Sequence, residues 1–306
     1  MAQSTEERIK HYGTFGLRRV AQQLLSVRQE RPKLPAFVEI KLERLRRDEG
    51  RIEEALGRPL EGQRMLVIGP GQLLREARFF AVRNQVVCLD LDVIPKGIDP
   101  LGYARMLRTN GPARVLKTMG RKLVGNDRHE LAEWKRQLGI SYLPDPECVV
   151  GDVCDGAPEE GTWDVLASWS TFQHIPDIDL ALRRCADALR PGGVLYIGIH
   201  LWTSNTGHHD IRAFSGQEHL LPLWAHLRKG HEHEVESSAF LNRVRLGEWR
   251  AAMERNCPGF TEYQQHHGED ELRARLSPEI REELADYSDE ELYTVDLFLR
   301  WRKPGP

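Results

Sequence analysis

MLVIGPGQLLREARFFAVRNQVVCLDLD, residues 65–92, changes its hydrophobic period twice. MLVIG is a short continuous apolar run, QLLREARFFAV repeats its apolar positions three and four apart, and VVCLD is again a short apolar run. Strands that are apolar throughout, rather than alternating, are covered on both faces, as in a parallel sheet. The stretch therefore predicts a β-α-β unit. Downstream the alternation continues with ECVVGD (147–152), WDVLASWS (163–170), the helix DIDLALRRCADALR (177–190), a turn at PGG and the strand VLYIGIH (194–200). At least five strands follow from this, in a doubly wound α/β sheet. AFLNRVRLGEWRAAMERN (239–256) is amphipathic, FTEYQQHH (260–267) suits a strand, and YTVDLFLRWRKP (293–304) suits a last one. A helix, a strand and a terminal strand complete a mostly parallel seven-stranded sheet with an antiparallel hairpin at one edge.

Upstream, residues 1–64 are expected to form an N-terminal helical extension that caps the pocket, with RRVAQQLLSVRQ (18–29) and FVEIKLERLRRDEGRIEEAL (37–56) separated at Pro32 and Pro35. Residues 65–306 form the main domain, with insertions at 97–143 and 262–296. The first insertion carries nine Lys or Arg against Asp99, Asp127, Glu130 and Glu133. The second is strongly acidic and reads as one or two exposed helices, most simply a solvated face.

Composition narrows the function. With 43 Lys plus Arg against 46 Asp plus Glu, the charge of −3 gives no general pull toward nucleic acid or an anionic membrane. The basic insertion has only Tyr103 and Trp134 for stacking, which argues further against nucleic acid. There is no run long and apolar enough for a membrane helix, and the opening MAQSTEERIK is too polar for a signal peptide, so a cytoplasmic chain is expected. Five scattered cysteines with no CxxC pairing argue against a disulfide framework or structural zinc.

Ligands of open parallel sheets bind beyond the carboxyl ends of the strands, so the residues there carry the chemistry. Gly69-Pro70-Gly71 follows the first strand, where glycines let backbone approach a ligand closely. Such glycines equally serve plain strand-to-helix turns. Asp90 ends the second strand and can accept both hydroxyl hydrogens of a ribose, although a strand-end aspartate is more often a cap. Asp152, after the third, can accept from an adenine amine or simply make a turn. A dinucleotide loop wants a small residue at position 74, where Leu74 stands, and Pro70 brings no N–H for a pyrophosphate.

MLVIGPGQ, VVCLDLD, VVGDV, WDVLASWSTFQHIPD and LRPGGVLYIGIH, in that order and spacing, resemble the successive motifs of class I S-adenosylmethionine-dependent methyltransferases. The resemblance covers residues 65–200 and, more loosely, the end of the chain. It implies a Rossmann-like methyltransferase fold, S-adenosylmethionine as cofactor, and a donor site at Gly69, Pro70, Gly71, Gln72, Asp90, Leu91, Asp152 and Val153. Ser168 and Trp169 then fall at the fourth-strand end that borders the methyl group. The family commonly has an acid two residues before its first motif glycine and a small residue further on. Here Val67 and Leu73 stand at those positions, with Gln72 or Glu76 as substitutes at the methionine end.

Nine of the twelve histidines lie between His200 and His267. In HLWTSNTGHHDIR (200–212), just after the fifth strand, His209 is the expected general base and Asp210 its orienting carboxylate. The competing readings are a polar loop whose histidines bind backbone, and a metal site, for which no regular ligand spacing exists. His174 is expected to pack or bond locally. The activity expected is methyl transfer to an oxygen or nitrogen of a small molecule; the alternative is an inactive, S-adenosylmethionine-binding scaffold. For the basic insertion two readings stand side by side: it draws an anionic acceptor, or it pairs with the acidic insertion within the monomer or across a homodimer.

Overall fold

The computed structural model describes residues 31–305 apart from Lys96 and Ile98, so the helix expected at 18–29 lies outside the described residues. The sheet has seven strands in the order β3-β2-β1-β4-β5-β7-β6. These are β1 (Arg64–Ile68), β2 (Gln85–Asp90), β3 (Glu147–Val150), β4 (Trp163–Trp169), β5 (Leu189–His200), β6 (Thr261–His266) and β7 (Thr294–Arg302). The first five are parallel, and β7 runs antiparallel between β5 and β6. Strand order reverses at β1, which puts the switch point, and any ligand crevice, at the ends of β1 and β4.

Both faces of the central strands are covered, as their continuous apolar sequences require. On one, Leu66, Leu166, Leu195 and Ile197 meet α6 (Ile178–Ala188) and α7 (Leu246–Asn256) through residues such as Leu182 and Trp249. On the other, Met65, Val67, Val165 and Val194 meet α1 (Leu34–Leu56), α2 (Arg75–Ala81) and α5 (Asn126–Leu138). Pro35 falls in the first turn of α1, where its missing N–H costs no helical bond, and Gly57 ends it in the left-handed conformation. Val38, Leu42, Leu45, Ile52 and Leu56 form its buried stripe. The helix thus covers a sheet face, and its Lys41, Arg44, Leu45 and Asp48 line a cavity at the ligand end of the sheet.

Two local expectations change. The PGG segment lies within β5, because it pairs with the chain's end: Gly192 N donates to Lys303 O at 3.0 Å and Lys303 N to Gly193 O at 2.8 Å. A side chain at Gly193 would meet the carbonyl oxygens of Trp163 and Arg190 at 2.9 and 3.0 Å, so only glycine fits. The acidic insertion forms three short helices, α8 (Glu269–Arg275), α9 (Pro278–Glu283) and α10 (Asp289–Tyr293), rather than a wholly solvated face. Leu272, Leu284, Leu292 and Tyr293 bury against Leu223 and Trp224 in a small third core. Its acids find cations nearby: Arg273 reaches Glu269 and Asp289, Arg250 reaches Glu262 and Glu290, and Arg245 reaches Glu291. Among the described residues no ion pair joins it to the basic insertion, which folds as α3 (Pro100–Asn110), α4 (Pro112–Val124) and α5.

Candidate active site

A cavity of about 190 Å³ opens at the carboxyl ends of β1 to β4 and gathers Gly69, Gly71, Asp90, Leu91, Asp152 and Val153. Gly69 has φ 62° and Gly71 φ 65°, a region in which a side chain is strained. At Gly69 a Cβ would also fall on the Thr171 side chain, whose hydroxyl donates to Gly69 O at 3.1 Å. The loop from β1 and the loop from β4 therefore touch where only glycine allows it.

Asp90 is the electrostatic centre of this cavity. Its Oδ1 accepts the Asp92 N–H at 2.8 Å. Burial, and then the neighbouring Asp92 charge, push its carboxyl up to about 7, against the hydrogen bonds from Asp92 and Gly71 N–H and the charge of Arg114. Asp92 is itself held by Asn110 Nδ2 at 2.5 Å and by an ion pair to Arg114, so the basic insertion is fastened to the end of β2. Arg114 reaches the cavity wall with its charge already matched. Asp152 caps a short 3₁₀ turn through the Cys154 N–H at 2.9 Å. Leu89, Leu91, Val153 and Ile175 supply apolar wall beside these carboxylates. A buried acceptor for a diol, a second carboxylate and flat apolar walls suit a nucleoside. S-adenosylmethionine fits that donor set.

Four of the expected site residues lie elsewhere. Pro70 is buried but is not part of this cavity's wall. Gln72 lines a separate space with Leu73, Ile94 and Tyr103. Ser168 is fully buried and donates to Ile68 O at 2.9 Å, tying β4 to β1. Trp169 points to the opposite side of the sheet, stacked on Phe80 at 5.3 Å with its indole N–H on Asp48 Oδ2 at 3.0 Å. Alternation along β4 accounts for the opposed directions of Ser168 and Trp169. Ser170, at φ 53°, then turns the chain so that Thr171, His174 and Ile175 line the first cavity.

Trp169 and Ser170 border a second cavity of about 140 Å³, at the ends of β4, β5 and the start of β7. Lys41, Arg44 and Asp48 from α1, Glu76 from α2 and Asp296 from β7 complete it. Asp48 also accepts the Tyr196 hydroxyl at 2.6 Å, and burial raises its carboxyl despite these bonds. Asp296 is opposite His200 in the β5–β7 register, with Oδ1 at 3.2 Å from His200 Nδ1 and Oδ2 at 3.3 Å from His267 Nε2. Burial opposes its charge, but those two bonds hold it well below the ordinary carboxylate range. Thr171, Asp92 and Asp296 are not legible as site residues; for Asp296 the one signal is its place near the start of the last strand.

The catalytic pair expected from the sequence does not assemble. The Asp210 carboxylate is bound to Arg212 at 2.6 Å and accepts the N–H groups of Arg212 and Glu236, so the carboxylate orients neither histidine. Burial raises its carboxyl, yet these bonds prevail and hold it at about 2. His209 packs edge-on against His174, His200 and Phe214 and borders neither cavity. Burial, with the neighbouring imidazoles, lowers it to about 2, so it has no ionisation near neutrality. His208 accepts the Asp210 N–H at 2.9 Å and is lowered to about 4 by burial. Among the described residues no group of three or more His, Cys, Asp or Glu is arranged to hold a metal, and no helix is long and apolar enough to cross a membrane.

Residues 108–197 match the model of a methyltransferase domain. No curated protein matches the chain. Among solved structures, phosphoethanolamine N-methyltransferase 2 of Haemonchus contortus, in complex with phosphomonomethylethanolamine and S-adenosylhomocysteine, is 18% identical over 84% of this chain and 52% of that one, at a TM-score of 0.44. Its S-adenosyl-L-methionine complex is 19% identical at a TM-score of 0.42, with the same coverage. This chain thus spans about half the length of that protein. An S-adenosylmethionine-dependent methyltransferase of Mesorhizobium loti is 15% identical over 80% of this chain and 92% of its own, at a TM-score of 0.41.

Proposed function

We propose that this chain, a class I S-adenosylmethionine-dependent methyltransferase by its fold and its methyltransferase domain, moves a methyl group onto an oxygen or nitrogen of a small molecule that carries an anionic group. The observation that carries the reading is the gathering of Gly69, Gly71, Asp90 and Asp152 in one cavity at the switch point. Asp90 would hold the ribose hydroxyls, Asp152 and Val153 the adenine, and the glycine loop the methionine part. When bound, the donor supplies a sulfonium methyl group that is already electrophilic. The chain's own contribution is alignment, worth several orders of magnitude when two reactants are held in line.

The acceptor would sit in the second cavity, beyond the Ser170 turn. Thr171 lies on the donor side of that turn, and Trp169 and Ser170 on the acceptor side. Lys41 and Arg44 of α1 bring positive charge to this second cavity and are the cations that suit an anionic acceptor. The 97–143 insertion reaches the donor cavity through Arg114, which pairs with Asp92.

Calorimetry tests the donor site. S-adenosylmethionine and S-adenosylhomocysteine should bind, and Asp90→Ala should weaken both by well over tenfold, since two charge-assisted bonds of about 1.5–3 kcal/mol each are lost. Absence of binding, or preference for NAD, would overturn the reading. Release of S-adenosylhomocysteine in the presence of small amines and alcohols separates an active enzyme from a binding scaffold.

A further inference from the structure

Helix α4 sits the reverse way round from an ordinary surface helix, with a polar face toward the protein and an apolar one toward solvent. Arg114, Thr118 and Lys122, four apart and so on one face, turn inward. Arg114 pairs with Asp92, Thr118 is buried, and Lys122 donates to Pro95 O at 2.8 Å and Gly97 O at 3.0 Å. The Asp92 carboxylate and the two carbonyls beyond β2 need those donors. The helical period then carries Leu116 and Met119 to the other side, where they are 51% and 43% exposed.

Helix α3, joined to α4 at Gly111 and packed against it, shows the same combination. It buries Met106 and Asn110 and leaves Leu101 74% and Leu107 50% exposed, with Arg105 and Arg108 exposed beside them. Neither helix contains an acid. Residues 100–124 carry Arg105, Arg108, Arg114, Lys117, Arg121 and Lys122 and no Asp or Glu, in a chain whose net charge is −3. Apolar side chains held in water beside basic ones are the composition of helices that lie in a membrane interface, where the apolar groups enter the headgroup boundary and the cations meet anionic lipid.

We propose that α3 and α4 dock this protein onto an anionic lipid surface, through Leu101, Leu107, Leu116 and Met119 together with Arg105 and Arg108. A second copy of the chain suits the face less well, because a two-fold contact brings the arginines of one copy against those of the other. Nucleic acid would take the charge but leave the leucines and Met119 without a partner. The insertion's aromatic side chains are also not offered for stacking, since Trp134 is buried and Tyr103 lies under the Lys122 ammonium at 5.3 Å. Arg114 fastens α4 to the wall of the donor cavity, so lipid against the outer face of α4 lies one helix diameter, about 10 Å, from that cavity.

The test is co-sedimentation of the full chain with vesicles of phosphatidylcholine alone and of phosphatidylcholine with phosphatidylglycerol at about two to one, in about 0.1 M salt. The mixed vesicles should bind the chain tenfold or more tighter than phosphatidylcholine alone. Arg105→Ser combined with Arg108→Ser should remove most of that preference. Leu107→Ser combined with Leu116→Ser should weaken binding to the mixed vesicles by about tenfold or more, and both variants should keep the melting temperature of the unaltered chain because all four side chains are exposed. No sedimentation with the mixed vesicles, equal sedimentation with both kinds, or unchanged binding by the leucine variant overturns the proposal. Dimerisation of the unaltered chain that the leucine variant abolishes, without vesicle binding, assigns the face to a second copy and overturns it as well.

Discussion

Donor affinity should fall steeply below neutral pH, because the carboxyl that must accept two ribose hydroxyls titrates at about 7 in the free protein. A protonated Asp90 offers one oxygen and a proton where the diol needs two acceptors. If only the carboxylate binds, the apparent Kd is multiplied by 1 + 10^(7−pH), which is about 11-fold at pH 6 and about 100-fold at pH 5, roughly 1.4 kcal/mol per pH unit. Above about pH 8 the affinity should be level. The cause is burial, reinforced by Asp92, so Asp92→Asn should lower the Asp90 carboxyl and shrink the pH 6 penalty to about threefold or less. Binding at pH 6 should release close to one proton, visible as a dependence of calorimetric enthalpy on the ionisation enthalpy of the buffer. The sign for stability is opposite. The folded pKa lies above the unfolded value, so the free protein binds the extra proton between about pH 4 and 7 and loses this contribution as pH rises through that window. Donor affinity that is flat from pH 5.5 to 8, with no proton released, would refute the argument.

Other perturbations act on the same framework. Gly69→Ala should cost about 1–2 kcal/mol in backbone strain, and by pushing Thr171 away should weaken donor binding at least tenfold; a titration showing unchanged affinity would deny the close approach of the two loops. Asp48→Ala leaves the Tyr196 hydroxyl and Trp169 indole N–H without their acceptor and should cost about 2–5 kcal/mol in urea unfolding. His208, His209 and His226, lowered to about 4, 2 and 3 chiefly by burial, stay neutral in the fold but charge in the unfolded chain below about pH 6.5. Stability should therefore drop as pH falls from 6.5, by up to about 4 kcal/mol per unit for the three together; equal unfolding free energies at pH 7.5 and 5.5 would contradict it.

The sequence alone determined the parts of this protein whose cause is local. Short apolar runs alternating with helical periods mark the buried strands of a parallel sheet, so the sheet, its parallel half and its terminal hairpin could be read directly. Asp90 and Asp152 could be read too, because a residue at a strand's carboxyl end is carried to the ligand edge by the strand itself. Even so, Ser168 and Trp169, adjacent at such an end, part to opposite faces, and only the register showed which way each goes. The histidines mark the limit. His209 reads as a base from residue type and position, but whether an imidazole can hold a proton depends on desolvation, and the groups that desolvate it, His174 and His200, arrive from other elements. Asp210 next to it reads as a partner, yet Arg212 takes it. Asp296 and Arg44 stand 252 positions apart in the chain and meet through His267 only because β7 is inserted beside β5 and α1 lies across the same sheet. Periodicity is a property of neighbours in sequence, whereas burial, charge matching and cavity walls belong to neighbours in space, and those only the tertiary structure decided.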